Sequence, residues 1–353
     1  MSVTAVRRGH DRSVVEASIL IPTWNRANVL DECLASLCEV TPDVGVEIIV
    51  IDNGSEDHTP EVLDRWVRLD GRIKSRREPH LGRSRALNAG LELARGRIVL
   101  FTDDDVIVQP GWVEAYQRFF AEQPDEFTLV GGPIIPIPND LGAWPAWLGT
   151  EPAATAGGLH HGATCRPLAE TEWLWGANMA MATATIHALG GWEESLGVQG
   201  RERGTYEDIE IQERVLGAGG IVWFLPDAVI HHRVRRSSVT PRSVLVRSFH
   251  GGLSTSTQAL HRREDRDQIP STVTAITVLC LGILLLVPVA GACRIRRTAS
   301  LIRLGRWSAR SVGDQLGVLE FARDTAAVSR PMRGTIKVAR WLAWRAVRLA
   351  PAS

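Results

Sequence analysis

The sequence predicts an α/β fold: a mostly parallel sheet with helices on both faces, joined to a C-terminal region of different character. Two observations predict the sheet. Uninterrupted apolar runs within Ala17–Ile21, Val46–Ile51 and Arg97–Phe101 have the pattern of strands buried on both faces. Between them, apolar residues recur at helical spacing, so β and α alternate. A third observation separates the two regions. Residues 1–230 carry 19 basic and 34 acidic side chains, a net charge of −15, whereas residues 231–353 carry 21 and 6, a net charge of +15. The formal charge of zero over 353 residues is a cancellation, and such asymmetry points to different partners for each region.

The elements follow in order. A strand at Ala17–Ile21 leads to a helix at Ala27–Val40, with Val29, Leu30, Cys33, Leu34 and Leu37 on one face. The β-branched run Val46–Ile51 is a strand, followed by a helix carrying Val62, Leu63, Trp66 and Val67. Then come a short strand at Arg72–Arg76, a helix at Arg83–Ala94, a strand at Arg97–Phe101 and a helix at Trp112–Phe120. Residues 136–170 are rich in Pro, Gly, Ala and His without a period, and read as irregular structure over a site. Regularity returns at Trp173–Ala182. Helices follow near Thr183–Leu189 and Asp208–Leu216, then a strand at Ile221–Leu225. The chain therefore divides into a polar tail at 1–16, without the apolar core of a secretory leader, an α/β domain at 17–240, and a C-terminal region at 241–353.

Composition excludes several classes. With 44% apolar and 23% charged residues the chain is neither disordered nor collagen-like. Its five cysteines are odd in number and contain no CxxC, which argues against a zinc site or a disulfide framework and for a reducing compartment. Neither GxGxxG nor GxxxxGK[ST] occurs, so a dinucleotide dehydrogenase and a P-loop kinase lose their main support.

In open α/β sheets, ligands bind beyond the carboxyl ends of the strands. The first strand ends in Pro22, Thr23, Trp24, Asn25 and Arg26, the second in Asp52, Asn53, Gly54 and Ser55, the fourth in Thr102, Asp103, Asp104 and Asp105. One such end is readily explained as a helix cap; three together indicate a ligand. Three adjacent carboxylates repel unless a cation or Arg neutralises them, and Mg²⁺ or Mn²⁺ prefers carboxylate oxygens and bridges to phosphates. On an extended strand end Asp103 and Asp105 point the same way, with Asp104 directed elsewhere, toward a ribose. A second acidic cluster, Glu207, Asp208 and Glu210, opens a helix, where it also complements the helix dipole. The adjacent His231 and His232 close a later strand, and a metal role suits either.

The ordered pieces ILIPTWNR, VIDNGSEDHT, GRSRALNAGL, FTDDD, WGANMAM, GGWEESLG, YEDIE and DAVIHH span about residues 17–236. As a set they resemble the family 2 inverting glycosyltransferases of bacterial type, which have the GT-A fold. The stretch RRSSVTPRSVLVRSFHGGLS is similar to an extension of many bacterial members. The resemblance implies a nucleotide-diphosphate sugar donor, a glycan or lipid-linked acceptor and Mg²⁺ or Mn²⁺ as cofactor. It implies that Pro22, Thr23, Asn25, Arg26, Asp52, Asn53, Ser55, Arg83, Asn88, Asp103 and Asp104 bind the donor. Asp103 and Asp105, the DxD motif, with His231 or His232, would hold the metal. Asp208 matches the catalytic base, and Trp175, Gly176, Asn178 and Glu207 face the acceptor. The QxxRW element of processive synthases is absent at Ile211–Val215, which argues for one sugar per event. Two other classes remain open: a nucleotidyltransferase-like enzyme that releases pyrophosphate, and a non-catalytic binding module.

The C-terminal region contains 23 uncharged residues at 271–293, long enough to cross a hydrocarbon core of about 30 Å. Arg294, Arg296, Arg297, Arg303, Arg306 and Arg310 follow, which places that side in the cytoplasm. Nucleotide sugars are cytosolic as well. A re-entrant or in-plane segment bent at Pro288 satisfies both, with basic amphipathic stretches lying on an anionic membrane surface. A true span, a core helix and a homo-oligomer contact are the alternatives. No nucleic-acid partner is expected, and the cytoplasmic face of the cell membrane is the expected location.

Overall fold

Ile19, Leu20 and Ile21 have no exposed surface, as an apolar run buried on both faces requires. The computed structural model describes residues 15–246, apart from 42–44, 124–126, 141, 146–147, 149–155, 170–171, 198–205 and 241. The segment 271–293 and the basic stretches after it lie outside these residues, as does the tail before residue 15. Among the described residues no helix is long and apolar enough to cross a membrane.

The described residues fall into two units: those within Met1–Ile135, Leu159–Gly200 and Glu207–His232, and those within Pro136–Gly158, Arg201–Tyr206 and Arg233–Ser353. The first unit opens with β1 (Ala17–Thr23), α1 (Ala27–Val40), β2 (Val46–Asp52), α2 (Thr59–Leu69), β3 (Ile73–Arg77), α3 (Arg83–Leu91) and β4 (Ile98–Thr102). Each lies within a few residues of its expected place. Thereafter come β5 (Val106–Val108), α4 (Trp112–Glu122), β6 (Thr128–Gly131) and β7 (Ile134–Pro138). The rest are β8 (Arg166–Pro167), β9 (Asn178–Ala182), α5 (Thr183–Ala188), α6 (Glu207–Gly217), β10 (Ile221–Phe224) and β11 (Ile230–Val234).

The main sheet has the order β3-β2-β1-β4-β9-β6-β10-β8. Strands β3, β2, β1 and β4 are mutually parallel, as are β6 and β10. Strand β9 is antiparallel to both β4 and β6 and lies between them, so the sheet is more mixed than expected. A second pairing joins β11 antiparallel to β5, with His232 opposite Val106.

Two buried polar networks hold this sheet. At the amino ends of the first strands, buried Glu47 accepts from Ser18 Oγ (2.6 Å), Lys74 Nζ (2.5 Å) and the Arg95 amide (2.6 Å). At the start of β9, Asn178 is wholly buried. Its Oδ1 accepts from Trp112 Nε1 (2.9 Å) and Tyr116 OH (2.8 Å), and its Nδ2 donates to the carbonyls of Pro133 (3.0 Å) and Ala228 (2.7 Å). The expectation that Asn178 faces an acceptor is therefore corrected. All four hydrogen-bonding capacities of the amide are used inside the core.

In the second unit, Leu148, Ala156, Val234, Val239 and Val244 form a small apolar cluster with Trp144 against it. A 3-10 turn at Arg236–Val239 begins where the Arg236 amide donates to Asp140 Oδ1 (2.6 Å). The sequence-drawn boundary at residue 240 falls within this unit.

Replacing Asn178 with Ala takes the side-chain partner from an indole N–H, a hydroxyl and two carbonyls in the core, of which the Pro133 carbonyl keeps another donor, the Ile230 amide (3.2 Å). We expect Asn178→Ala to lose about 3–5 kcal/mol of stability in urea unfolding, and a loss below about 1 kcal/mol would contradict this account.

Candidate active site

The polar strand ends meet at one edge of the sheet. In register, Thr23 at the end of β1 stands opposite Asp52 at the end of β2. Pro22, one step earlier, lies opposite Ile51. The Asp52 carboxylate accepts from the Ser55 amide (2.8 Å), and Arg77 Nη1 lies 3.7 Å from it. The Ser55 hydroxyl in turn accepts from the Asn25 amide (2.9 Å). Asn25 has φ of +53°, a left-handed conformation that Asn tolerates better than most residues. Its side-chain oxygen accepts from the amides of Glu56 (2.7 Å) and Asp57 (3.2 Å), which fixes the turn from which Arg26 emerges.

The three aspartates are arranged differently from the strand-based expectation. Asp103 pairs with Arg83 Nη2 (2.9 Å). Asp104 accepts from Thr23 Oγ1 (2.7 Å) and pairs with Arg26 Nη1 (2.9 Å). Asp105 also contacts Arg26 Nη1 and lies 3.2 Å from His232 Nε2. Asp104 thus goes with Asp105, and Asp103 stands apart. The reason is local: β4 ends at Thr102 and the backbone turns before β5, so strand alternation does not continue through the triad. Burial pushes the Asp104 carboxyl up to about 6 against the pull of Arg26. Burial has the same sense at Asp105, but His232 and Arg26 override it and hold that carboxyl well below the usual range.

The histidine pair is resolved by strand periodicity, which sends adjacent side chains to opposite faces. His232 is at the triad, whereas His231 Nε2 lies 3.4 Å from Gln109 Nε2. The metal expectation for His231 is corrected accordingly. Burial disfavours charge on His232, but Asp105 outweighs it and raises the imidazole above its ordinary value. Its Nδ1 is buried without a hydrogen-bond partner in the structure. Among the described residues no three His, Cys, Asp or Glu side chains are gathered closely enough to hold an ion. The donor types at Asp103, Asp105 and His232, carboxylate oxygens with one imidazole, nevertheless suit a hard divalent cation.

Two expected donor ligands have other duties. Asn53 Oδ1 accepts from the Gly82 amide (2.8 Å) and Nδ2 donates to the carbonyls of His80 (2.8 Å) and Glu78 (3.2 Å). Asn88 Oδ1 accepts from the Trp192 amide (2.8 Å) and Nδ2 donates to the Trp192 carbonyl (2.9 Å). Both expectations are corrected: these amides pin loops at the site and have little capacity left for a ligand.

The second acidic cluster lies across Arg83 from Asp103. Arg83 Nη1 is 3.4 Å from Glu207 Oε1, so one guanidinium spans Asp103 and the start of α6. Gly176 lies against this guanidinium, and a Cβ there would fall 2.9 Å from Nη2. The Gly176 amide donates to Asp208 Oδ2 (3.3 Å), and the Ile209 amide to Oδ1 (3.0 Å). Burial, then the neighbouring Glu207 charge, push the Asp208 carboxyl up to about 7, with Arg83 opposing. Glu207 is also raised by burial, and its Oε2 is buried without a hydrogen-bond partner. Trp175, next to Gly176, is exposed.

Sequence reasoning missed Gln212. This fully buried residue accepts from the Leu174 amide (2.8 Å) and donates to its carbonyl (3.1 Å), holding the 174–178 segment to α6. Its spacing of four from Asp208, on the same helix face, was the available signal.

The family model described as Glycosyl transferase family 2 matches residues 18–157. EpsH of Bacillus subtilis (strain 168) is 31% identical over 108 residues, 31% of each chain. The glycosyltransferase GlyG of Streptococcus pneumoniae serotype 4 is 29% identical over 116 residues, 32% of this chain and 38% of GlyG. The chain thus spans about a third of the length of these curated relatives. The mannosyltransferase PcManGT of Pyrobaculum calidifontis, solved with GDP-Man and Mn²⁺, superposes with a TM-score of 0.50 at 16% identity, covering 95% of this chain and 86% of that one. That likeness establishes a GT-A-like fold. With the strand-end carboxylates assembled on this fold, residues 18–157 form a glycosyl transferase family 2 domain.

Proposed function

We propose that the chain is an inverting, metal-dependent glycosyltransferase that moves one sugar from a nucleotide-diphosphate donor to a hydroxyl acceptor. The observation that carries this reading is Asp208. It is a carboxylate raised to about 7, fixed by the Gly176 amide and separated from the acidic triad by Arg83. Inversion needs two separate functions: a base on the acceptor side and charge neutralisation on the leaving-group side.

The Asp208 carboxylate takes the proton of the acceptor hydroxyl. The acceptor oxygen forms a bond to the anomeric carbon as that carbon's bond to the diphosphate oxygen breaks. The electron pair of the broken bond leaves with the diphosphate. Asp103, Asp105 and His232 would hold a divalent cation, which when bound supplies positive charge to that leaving group. Asp52, Ser55, Thr23 and Asn25 form the neighbouring edge where the nucleoside binds. Trp175 and Gly176 face the acceptor. Glu207 acts on this side through Arg83 and Asp208.

A relative named chondroitin synthase supports polysaccharide synthesis as the setting. We further propose that the C-terminal region binds the cytoplasmic face of the membrane, on the strength of its +15 charge and the uncharged segment 271–293.

Three outcomes are expected. Asp208→Asn should lower transfer by about 10³-fold or more, while metal-dependent binding of a screened nucleotide sugar stays within about threefold of wild type. Robust transfer by this variant would sink the assignment of the base. In the wild type, kcat should fall about tenfold per pH unit below about 7, because Asp208 must be deprotonated to act and its value is raised. A flat profile between pH 5 and 8 would contradict the assignment. The full chain should sediment with anionic but not neutral liposomes and be released as salt rises toward about 1 M. Equal binding to neutral vesicles would refute the electrostatic address.

A further inference from the structure

Asp104 and Asp105 are nearly closed to solvent, with exposures of 4% and 8%. Adjacent carboxylates in such a place require positive charge. A single nitrogen, Arg26 Nη1, serves both: it lies 2.9 Å from Asp104 Oδ1 and contacts Asp105 Oδ2. Thr23 and His232 complete the shell. Yet the Arg26 side chain is 37% exposed, unlike the carboxylates it neutralises. Among the described residues only Nη1 of its three guanidinium nitrogens is hydrogen-bonded.

The backbone beneath it is anchored. The Arg26 amide donates to Thr59 Oγ1 (3.3 Å), and the left-handed Asn25 is tied to the Glu56 and Asp57 amides. The long side chain can therefore change partners without moving the strand end. Asp105 also lies among the residues that would hold a divalent cation. A doubly charged ion beside a guanidinium on the same carboxylate is repelled. A diphosphate relieves that conflict, because it bears negative charge and accepts the planar two-pronged donor set that Arg26 still has free.

We propose that Arg26 is an exchangeable counterion, which holds the Asp104–Asp105 pair in the donor-free protein and passes to the donor's diphosphate when a divalent cation takes Asp105. This rests on the donor-binding reading above. Its consequence is that cation and nucleotide promote one another's binding, because each removes the obstacle to the other.

The test uses the full chain with Mn²⁺ alone, then with UDP or GDP at saturating Mn²⁺, both by calorimetry. Arg26→Gln should bind Mn²⁺ alone about tenfold more tightly than wild type, because the competing charge is gone, and bind the nucleotide about tenfold more weakly. Arg26→Lys keeps the charge without the fork. It should leave Mn²⁺ affinity near wild type and weaken the nucleotide, and it keeps the test decisive if the Gln variant does not fold. Unchanged or weaker Mn²⁺ binding in Arg26→Gln would overturn the exchange, as would a gain in Arg26→Lys of the size expected for Gln. Wild-type protein that binds neither nucleotide with Mn²⁺ would instead overturn the donor-binding reading, and the exchange with it.

Discussion

One guanidinium ties the site together. Arg83 lies between Asp103, at the end of β4, and Glu207, at the start of α6, two residues 104 positions apart in the chain. Its side chain is only 15% exposed, so neither pair is weakened by full contact with water. Much of the surrounding structure serves this bridge. Gly176 leaves room for the guanidinium where it stands, since a Cβ there would make it shift, and the Gly176 amide reaches Asp208. Asn53 holds the loop leading to Gly82, after which α3 begins with Arg83. Ser84 and Asn88, one and five residues on, fasten α3 to the 192–196 segment. Remove the guanidinium, and Asp103 and the Glu207–Asp208 pair face each other as unscreened like charges.

The first half of the sheet was legible because burial on both faces leaves an unmistakable pattern. A strand such as Ile48–Ile51 has no polar alternation to confuse it with anything else. The inserted β9 was harder to read. Its residues 178–181 are equally buried, but nothing in an apolar run distinguishes parallel from antiparallel neighbours. Strands β5, β6 and β7, of three to five residues, were not anticipated, because so short an apolar run has no measurable period.

At the site, residue type was legible and saturation was not. Asn53, Asn88 and Asn178 occupy motif positions that suggest ligand contacts. Only coordinates reveal that their amides are committed to backbone groups and core side chains. The triad shows the same limit. Three aspartates announce a need for positive charge, yet which arginine answers which carboxylate depends on a turn that alternation rules do not describe. The histidine pair went the other way: once the register of β11 against β5 is known, one His must face the triad and the other must not.

The −15 charge of the first 230 residues is consequently not a free negative field over the site. The triad is met by Arg26, Arg83 and His232, so the local balance is closer to neutral than the composition implies. Asp208 is the exception, and the exception has a thermodynamic sign. Its carboxyl is raised from the ordinary range to about 7, so between these values the native state binds more protons than the unfolded chain. Its contribution to stability is complete below the ordinary carboxylate value and is lost as pH rises through about 7. The fold is therefore weakened by this residue in the pH range where Asp208 becomes able to accept a proton. That opposition between stability and basicity is the behaviour expected of a catalytic carboxylate, and a cap or surface ion pair would show the reverse.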